Sequence, residues 1–86
     1  MDEKLKKQAA AYCYATTVLN TTSGQYYIEP DDIASFLCVD VEELDMEEIS
    51  EELTHSYDGV NEASVEEDDS VLSVVLFTDY MANNEN

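Results

Sequence analysis

The chain of 86 residues contains no arginine and no tryptophan, and only three lysines, one histidine, two cysteines, two glycines and one proline. The shortage of positive charge decides most. Lys4, Lys6 and Lys7 all lie in the first seven positions, and from Gln8 onward His55 is the only side chain able to carry a cation. Against them stand 21 Asp and Glu residues, for a net charge of −18. Such a chain is repelled by nucleic acid and by anionic membranes, so direct binding to either is excluded. No run approaches the ~20 apolar residues of a membrane span. Lys4 to Lys7 lead into only a short Ala/Tyr stretch, so no signal peptide is expected and the protein is placed in the cytoplasm.

The scarce reactive residues exclude a second set of functions. Cys13 and Cys38 lack metal or redox spacing and are expected to be buried free thiols of a reducing cytosol. His55 has no cysteine pair at zinc spacing and is expected near a helix end, where the helix dipole favours a cation. Glu66, Glu67, Asp68 and Asp69 lack the alternating ligands and the glycine of a calcium loop, and read as a solvated hairpin tip. No serine, threonine or cysteine is singled out by a neighbouring base, and carboxylates are too abundant for any pair to stand out. No enzymatic activity, cofactor or metal is expected.

What remains is apolar and acidic. A hydrophobic content of 44%, six tyrosines and periodic apolar stripes are more than a solvated polymer needs, despite the charge. The chain reads as one small α+β domain over residues 1–86, with about three helices and a C-terminal β-hairpin. Fraying is expected only at 1–3 and 82–86. Lys4 to Leu19 forms the first helix, with Leu5, Ala9, Tyr12, Ala15 or Thr16, and Leu19 on one face. A second stripe, Ala11, Tyr14 and Val18, is expected under the terminal hairpin or against a second copy. Repulsion between two chains of −18 favours the hairpin, and hence a monomer over a homodimer through this helix.

Gln25 to Ile28 is a short strand. Pro30, Asp31 and Asp32 open a second helix that runs to about Cys38 and buries Ile33, Phe36 and Leu37. Tyr57 to Gly59 and Glu67 to Ser70 are turns around a strand from Val60 to Glu66, and Val71 to Phe77 is the strongest strand signal.

Seventeen of the acids lie between Glu29 and Asp69, and Asp40 to Glu52 packs eight carboxylates into thirteen residues. Its apolar residues Val41, Leu44, Met46, Ile49 and Leu53 fall at roughly helical spacing, and Asp45 with Glu48 reads as a capping box that starts a new turn at Met46. As one helix the stretch is ~20 Å long with a charge every ~2.4 Å, against one per ~1.7 Å of duplex DNA. Seven like-charged pairs at helical spacing cost roughly 1.5–3.5 kcal/mol in such a helix. A cost of that size points to a task for the charge, and the natural partner is a strongly basic surface. Acidity suited to a high-salt cytoplasm would instead be scattered along the chain.

Two resemblances follow from these residues. Ile33 to Leu44 resembles the core of a helix-turn-helix, and the order helix, strand, helix, acidic helix, hairpin is similar to a winged helix over Tyr27 to Phe77. Cys38 stands where glycine is usual at the turn, and Glu42, Glu43, Glu47 and Glu48 replace the basic residues that would read a major groove.

In size and in its arginine-free acidic block, the chain also resembles, as a class, the small nucleic-acid mimics of phages and mobile elements, of anti-CRISPR and anti-restriction type. That resemblance implies a competitive inhibitor acting in the host cytoplasm on a Lys/Arg-rich nucleic-acid-binding protein, such as a CRISPR effector or a restriction enzyme. Its contacts would come from Glu42, Glu43, Glu47, Glu48, Glu51 and Glu52, helped by Asp31, Asp32, Glu66, Glu67, Asp68 and Asp69. The alternative is an acidic winged-helix-like adaptor or transcription-associated regulator that meets a protein partner.

Overall fold

The computed structural model describes residues 1–20, 24–57, 60–68 and 71–78. Along the chain run α1 (Glu3–Asn20), β1 (Gly24–Ile28), α2 (Pro30–Leu37), a 3-10 turn (Val41–Glu43), α3 (Met46–Ser56), β2 (Val60–Asp68) and β3 (Val71–Thr78). The α+β class and the element order of the winged-helix resemblance are both observed. The expected turn residues Asp58, Gly59, Asp69 and Ser70, and the C-terminal stretch 82–86, lie outside the described residues. Among the described residues, no helix is long and apolar enough to cross a membrane.

Helix α1 buries a different row from the one its hydropathy suggests. Ala9, Ala10, Cys13 and Thr17 are fully covered, whereas Ala15 is exposed and Leu19 is 83% exposed. Thr17 hides from a hydropathy reading because it is polar; its hydroxyl donates to the Cys13 carbonyl at 2.8 Å, so its burial leaves no orphaned group. Of the second stripe, Ala11 is exposed and Val18 half-buried, while Tyr14 stacks on Tyr57 at 4.5 Å. The helix packs chiefly on α3, so α3 supplies cover that was expected from the hairpin. Met1, in the stretch expected to fray, is half-buried against the core.

Helix α2 begins as its sequence dictates, with Pro30 at the first position and Asp31 and Asp32 in the first turn, where the dipole favours acids. Ile33 and Ala34 are buried and Leu37 half-buried. Phe36, expected inside, is 65% exposed, because the stripe four residues apart from Ile33 to Leu37 turns it outward; its ring lies 4.6 Å from that of Tyr12. Cys38 ends the helix at φ 59°, ψ 45°, the left-handed conformation that glycine usually supplies, with Val39 N–H donating to the Ala34 carbonyl at 3.1 Å. Cys38 is therefore exposed, not buried as expected. The other thiol, Cys13, is enclosed, and burial pushes its pKa up to about 12.

Strand β3 is the middle of the sheet, in the order β1-β3-β2, and both neighbours run antiparallel to it. The register sets Ile28, Val74 and Val65 in one cross-strand row and Tyr27, Val75 and Ser64 in the next. Successive residues of a strand point to opposite faces, so the first row faces the helices and the second faces away. Val74 joins Ile28, Ile33, Ile49 and Leu53 in the core. β2 extends to Asp68, opposite Val71, two residues past the strand expected from its alternation.

Candidate acidic binding surface

The densest acidic stretch is not one helix. Val41–Glu43 is a single 3-10 turn, Leu44 and Asp45 are extended, and α3 starts afresh at Met46. Asp45 caps the new helix as its sequence signals: its carboxylate accepts from the N–H groups of Glu47 at 3.1 Å and Glu48 at 3.3 Å. The reciprocal arm expected from Glu48 is replaced. The Asp45 N–H lies 3.4 Å from the Met1 sulfur, and the Glu48 carboxylate lies 3.3 Å from the Met1 ammonium. A reach-back of that kind occurs one motif earlier, where the Glu43 carboxylate accepts from the Asp40 N–H at 3.0 Å.

This break revises the charge density. α3 carries Glu47, Glu48, Glu51 and Glu52 over eleven residues, or one charge per ~4 Å at a rise of ~1.5 Å per residue. That is close to the ~3.4 Å spacing along one DNA strand, and less than half the density of the duplex. The stability cost shrinks as well. Of the seven like-charged pairs, only Glu47/Glu51, Glu48/Glu52 and Glu48/Glu51 lie within α3, for roughly 0.6–1.5 kcal/mol. Glu47 and Glu48 recover much of that from the N-terminal dipole, at ~0.3–1 kcal/mol each. The acidic helix is affordable on local grounds, so its cost is no longer a reason to assign it a task.

The predicted residues fall into separate groups. Glu42, Glu43 and Glu47, with Asp45, line a groove floored by Leu44, Met46 and Val65. Glu66 and Glu67 line a second hollow with Glu29, beside Ser73 and the 54%-exposed ring of Tyr27. The register sets Glu66, opposite Ser73, on the face turned away from the helices and Glu67, opposite Leu72, on the other. Val65 and Glu66 are consecutive in β2, so that strand runs between the two groups. Glu51 and Glu52 sit instead beside Lys6 and His55. Lys6 forms an ion pair with Glu3 at 2.7 Å; that hydrogen bond raises its pKa, with smaller additions from Glu52 and Glu48. His55 is exposed in the last turn of α3, the position expected for it.

Glu48 and Glu52 are half-buried, whereas Glu42, Glu43, Glu47, Glu51, Glu66 and Glu67 are exposed. Asp31 and Asp32 are exposed too, in the first turn of α2. Asp68 ends β2, and its side chain, like Asp69, lies outside the described residues. Sequence reasoning missed Asp45 and Glu29 as site members. Asp45 was read only as a cap, and Glu29 only as the residue before a proline; the sheet register is what brings Glu29 to Glu66.

Among the described residues, no group of three His, Cys, Asp or Glu side chains is arranged to hold a metal ion. What the surface offers is exposed carboxylate at several-ångström spacing around small apolar floors, suited to lysine and arginine side chains, whose stems are apolar and whose heads are charged. No protein family, characterised protein or solved structure matches this chain.

Proposed function

We propose that this protein binds a Lys/Arg-rich, nucleic-acid-binding surface of another protein and blocks it by competition, acting in the cytoplasm of a host cell. The observation that supports this reading most is the groove of Glu42, Glu43, Asp45 and Glu47, with a separate acidic hollow formed by Glu29, Glu66 and Glu67. These carboxylates stand in for phosphates and displace the counterions that nucleic acid would displace. Glu48 and Glu52 contribute less than the sequence suggests, because Met1 and Lys6 already share their charge.

The test is capture of a basic protein from a host lysate on the immobilised chain, followed by affinity measurements. Between about 50 and 200 mM salt, some five paired charges lose roughly 10²–10³-fold in affinity. Duplex DNA or RNA should displace the chain from its target. Binding that ignores salt and leaves the target's nucleic acid in place sinks the competitive reading. It would favour the second one, an acidic winged-helix-like adaptor or transcription-associated regulator, which the observed element order supports.

A further inference from the structure

Three of the surface hollows carry at least two carboxylates each. A fourth, between α1 and α2, carries none and is lined by Tyr12, Ala15, Leu19, Phe36 and Leu37 among others. Leu19 and Phe36 are the most exposed large apolar residues described. Along α1 the exposed positions Lys4, Gln8, Ala11, Ala15 and Leu19 recur at intervals of three or four residues, so they form one straight ridge beside this hollow. The ridge has a cation at its first position, small residues at its middle and a bare leucine at its end. The last turn of α1 has no basic residue to meet its exposed carbonyls.

We propose that the chain forms a two-fold homodimer in which the Lys4–Leu19 ridges of two α1 helices pack antiparallel, with Phe36 at the flank. The ridge is complementary to itself, with an exposed lysine at one end and a helix C-terminus that has no basic residue at the other, and this identifies the occupant as a second copy. A second copy brings −18 of its own, and can approach only where no carboxylate faces another. The hollow and the ridge hold no carboxylate, and the ridge carries one of the three lysines. An antiparallel pairing centred between Ala11 and Tyr12 sets Gln8 opposite Ala15 of the second copy, and Lys4 opposite Leu19 of the second copy. The Lys4 ammonium then reaches the C-terminal carbonyls of the opposing helix, which prefer a cation, while its stem covers the leucine. Ala11 and Ala15 at the crossing allow close approach of the two helices. The dimer leaves the acidic groove and the outer sheet face free, so it stands independently of the function proposed above.

Sedimentation of the intact chain at about 10 mM and 0.15 M salt tests it, because the Debye length falls from roughly 30 to 8 Å between them. A dimer is expected at the higher salt and a shift toward monomer at the lower, the opposite of the salt response expected for target binding. Ala15→Glu, at an exposed position and with a good helix former, should give a monomer at both salts with an unchanged circular dichroism spectrum. Lys4→Glu, which leaves the middle of the ridge intact, should weaken the dimer as well. A wild-type monomer at both salts overturns the proposal, as does a dimer that Ala15→Glu leaves intact. If the wild type is a monomer and Ala15→Glu abolishes target capture, the face belongs to the target and the dimer is equally refuted.

Discussion

Cys38 occupies a backbone position that only glycine adopts freely. Left-handed geometry costs a residue with a Cβ about 1–2 kcal/mol, while glycine carries a larger entropy loss on folding of roughly 0.5–1 kcal/mol. Cys38→Gly should therefore stabilise the fold by about 0.5–1 kcal/mol in urea denaturation, and Cys38→Val should destabilise it. Cys13 makes the opposite case, a residue whose environment fits it. Its thiol is kept neutral by burial, with a pKa near 12 against 9.0 for an ordinary thiol. Because the folded value is raised, this contribution is complete below pH 9 and is lost as pH climbs from there toward 12, while the unfolded chain alone sheds the proton. Stability measured between pH 8 and 10 should fall by up to about 1 kcal/mol per pH unit, and Cys13→Ala should flatten that slope even though it lowers stability overall.

At the scale of the elements, the acidic stretch shows what was legible and what was not. Asp45 announced a helix start at Met46, and Ile49 and Leu53 announced its buried stripe; each is a local signal, and each is realised. The capping interactions of Asp40 and Glu43 were hidden, because a carboxylate beside a helix interruption looks in sequence like one more surface charge. Thr17 was passed over and Phe36 misplaced for a shared reason: hydropathy ranks residue types, whereas burial follows helical phase, and a threonine that bonds its own helix travels inward more readily than its rank suggests. The joining of Glu29 to Glu66 depends on β1 and β2 both pairing with β3, a long-range fact with no local trace. Replacing Glu43, Glu47 and Glu51 together by glutamine tests the element's role. Glutamine can still accept from the Asp40 N–H, and losing the Glu47/Glu51 repulsion offsets losing Glu47 at the helix start. Stability should change by less than about 1 kcal/mol, while target affinity should drop at least tenfold. A triple variant that binds normally reduces α3 to a solvated face.

For the whole molecule, charge of one sign opposes compaction, so salt should act on the fold and on its target complex in opposite directions. Raising salt from about 10 mM to 0.2 M screens the mutual repulsion of the carboxylates and should raise the melting temperature by several degrees, a shift of ~1 kcal/mol being worth about 4–8 °C in a domain of this size. A melting temperature indifferent to salt would mean that the acids are already spaced beyond one another's reach. The strand order carries a consequence for how the protein is made. The middle strand is the last to leave the ribosome, so β1 and β2 have no sheet partner until Val71–Thr78 emerges. The roughly 50 residues between Ile28 and Thr78 take about 2.5–10 s to synthesise at 5–20 residues per second. Throughout that interval Ile28 and its neighbours wait uncovered on an unfinished chain. Neighbouring nascent copies each gain seventeen carboxylates between Glu29 and Asp69 and so repel one another increasingly during the wait, and the same acidity that hinders compaction guards an open core against premature association.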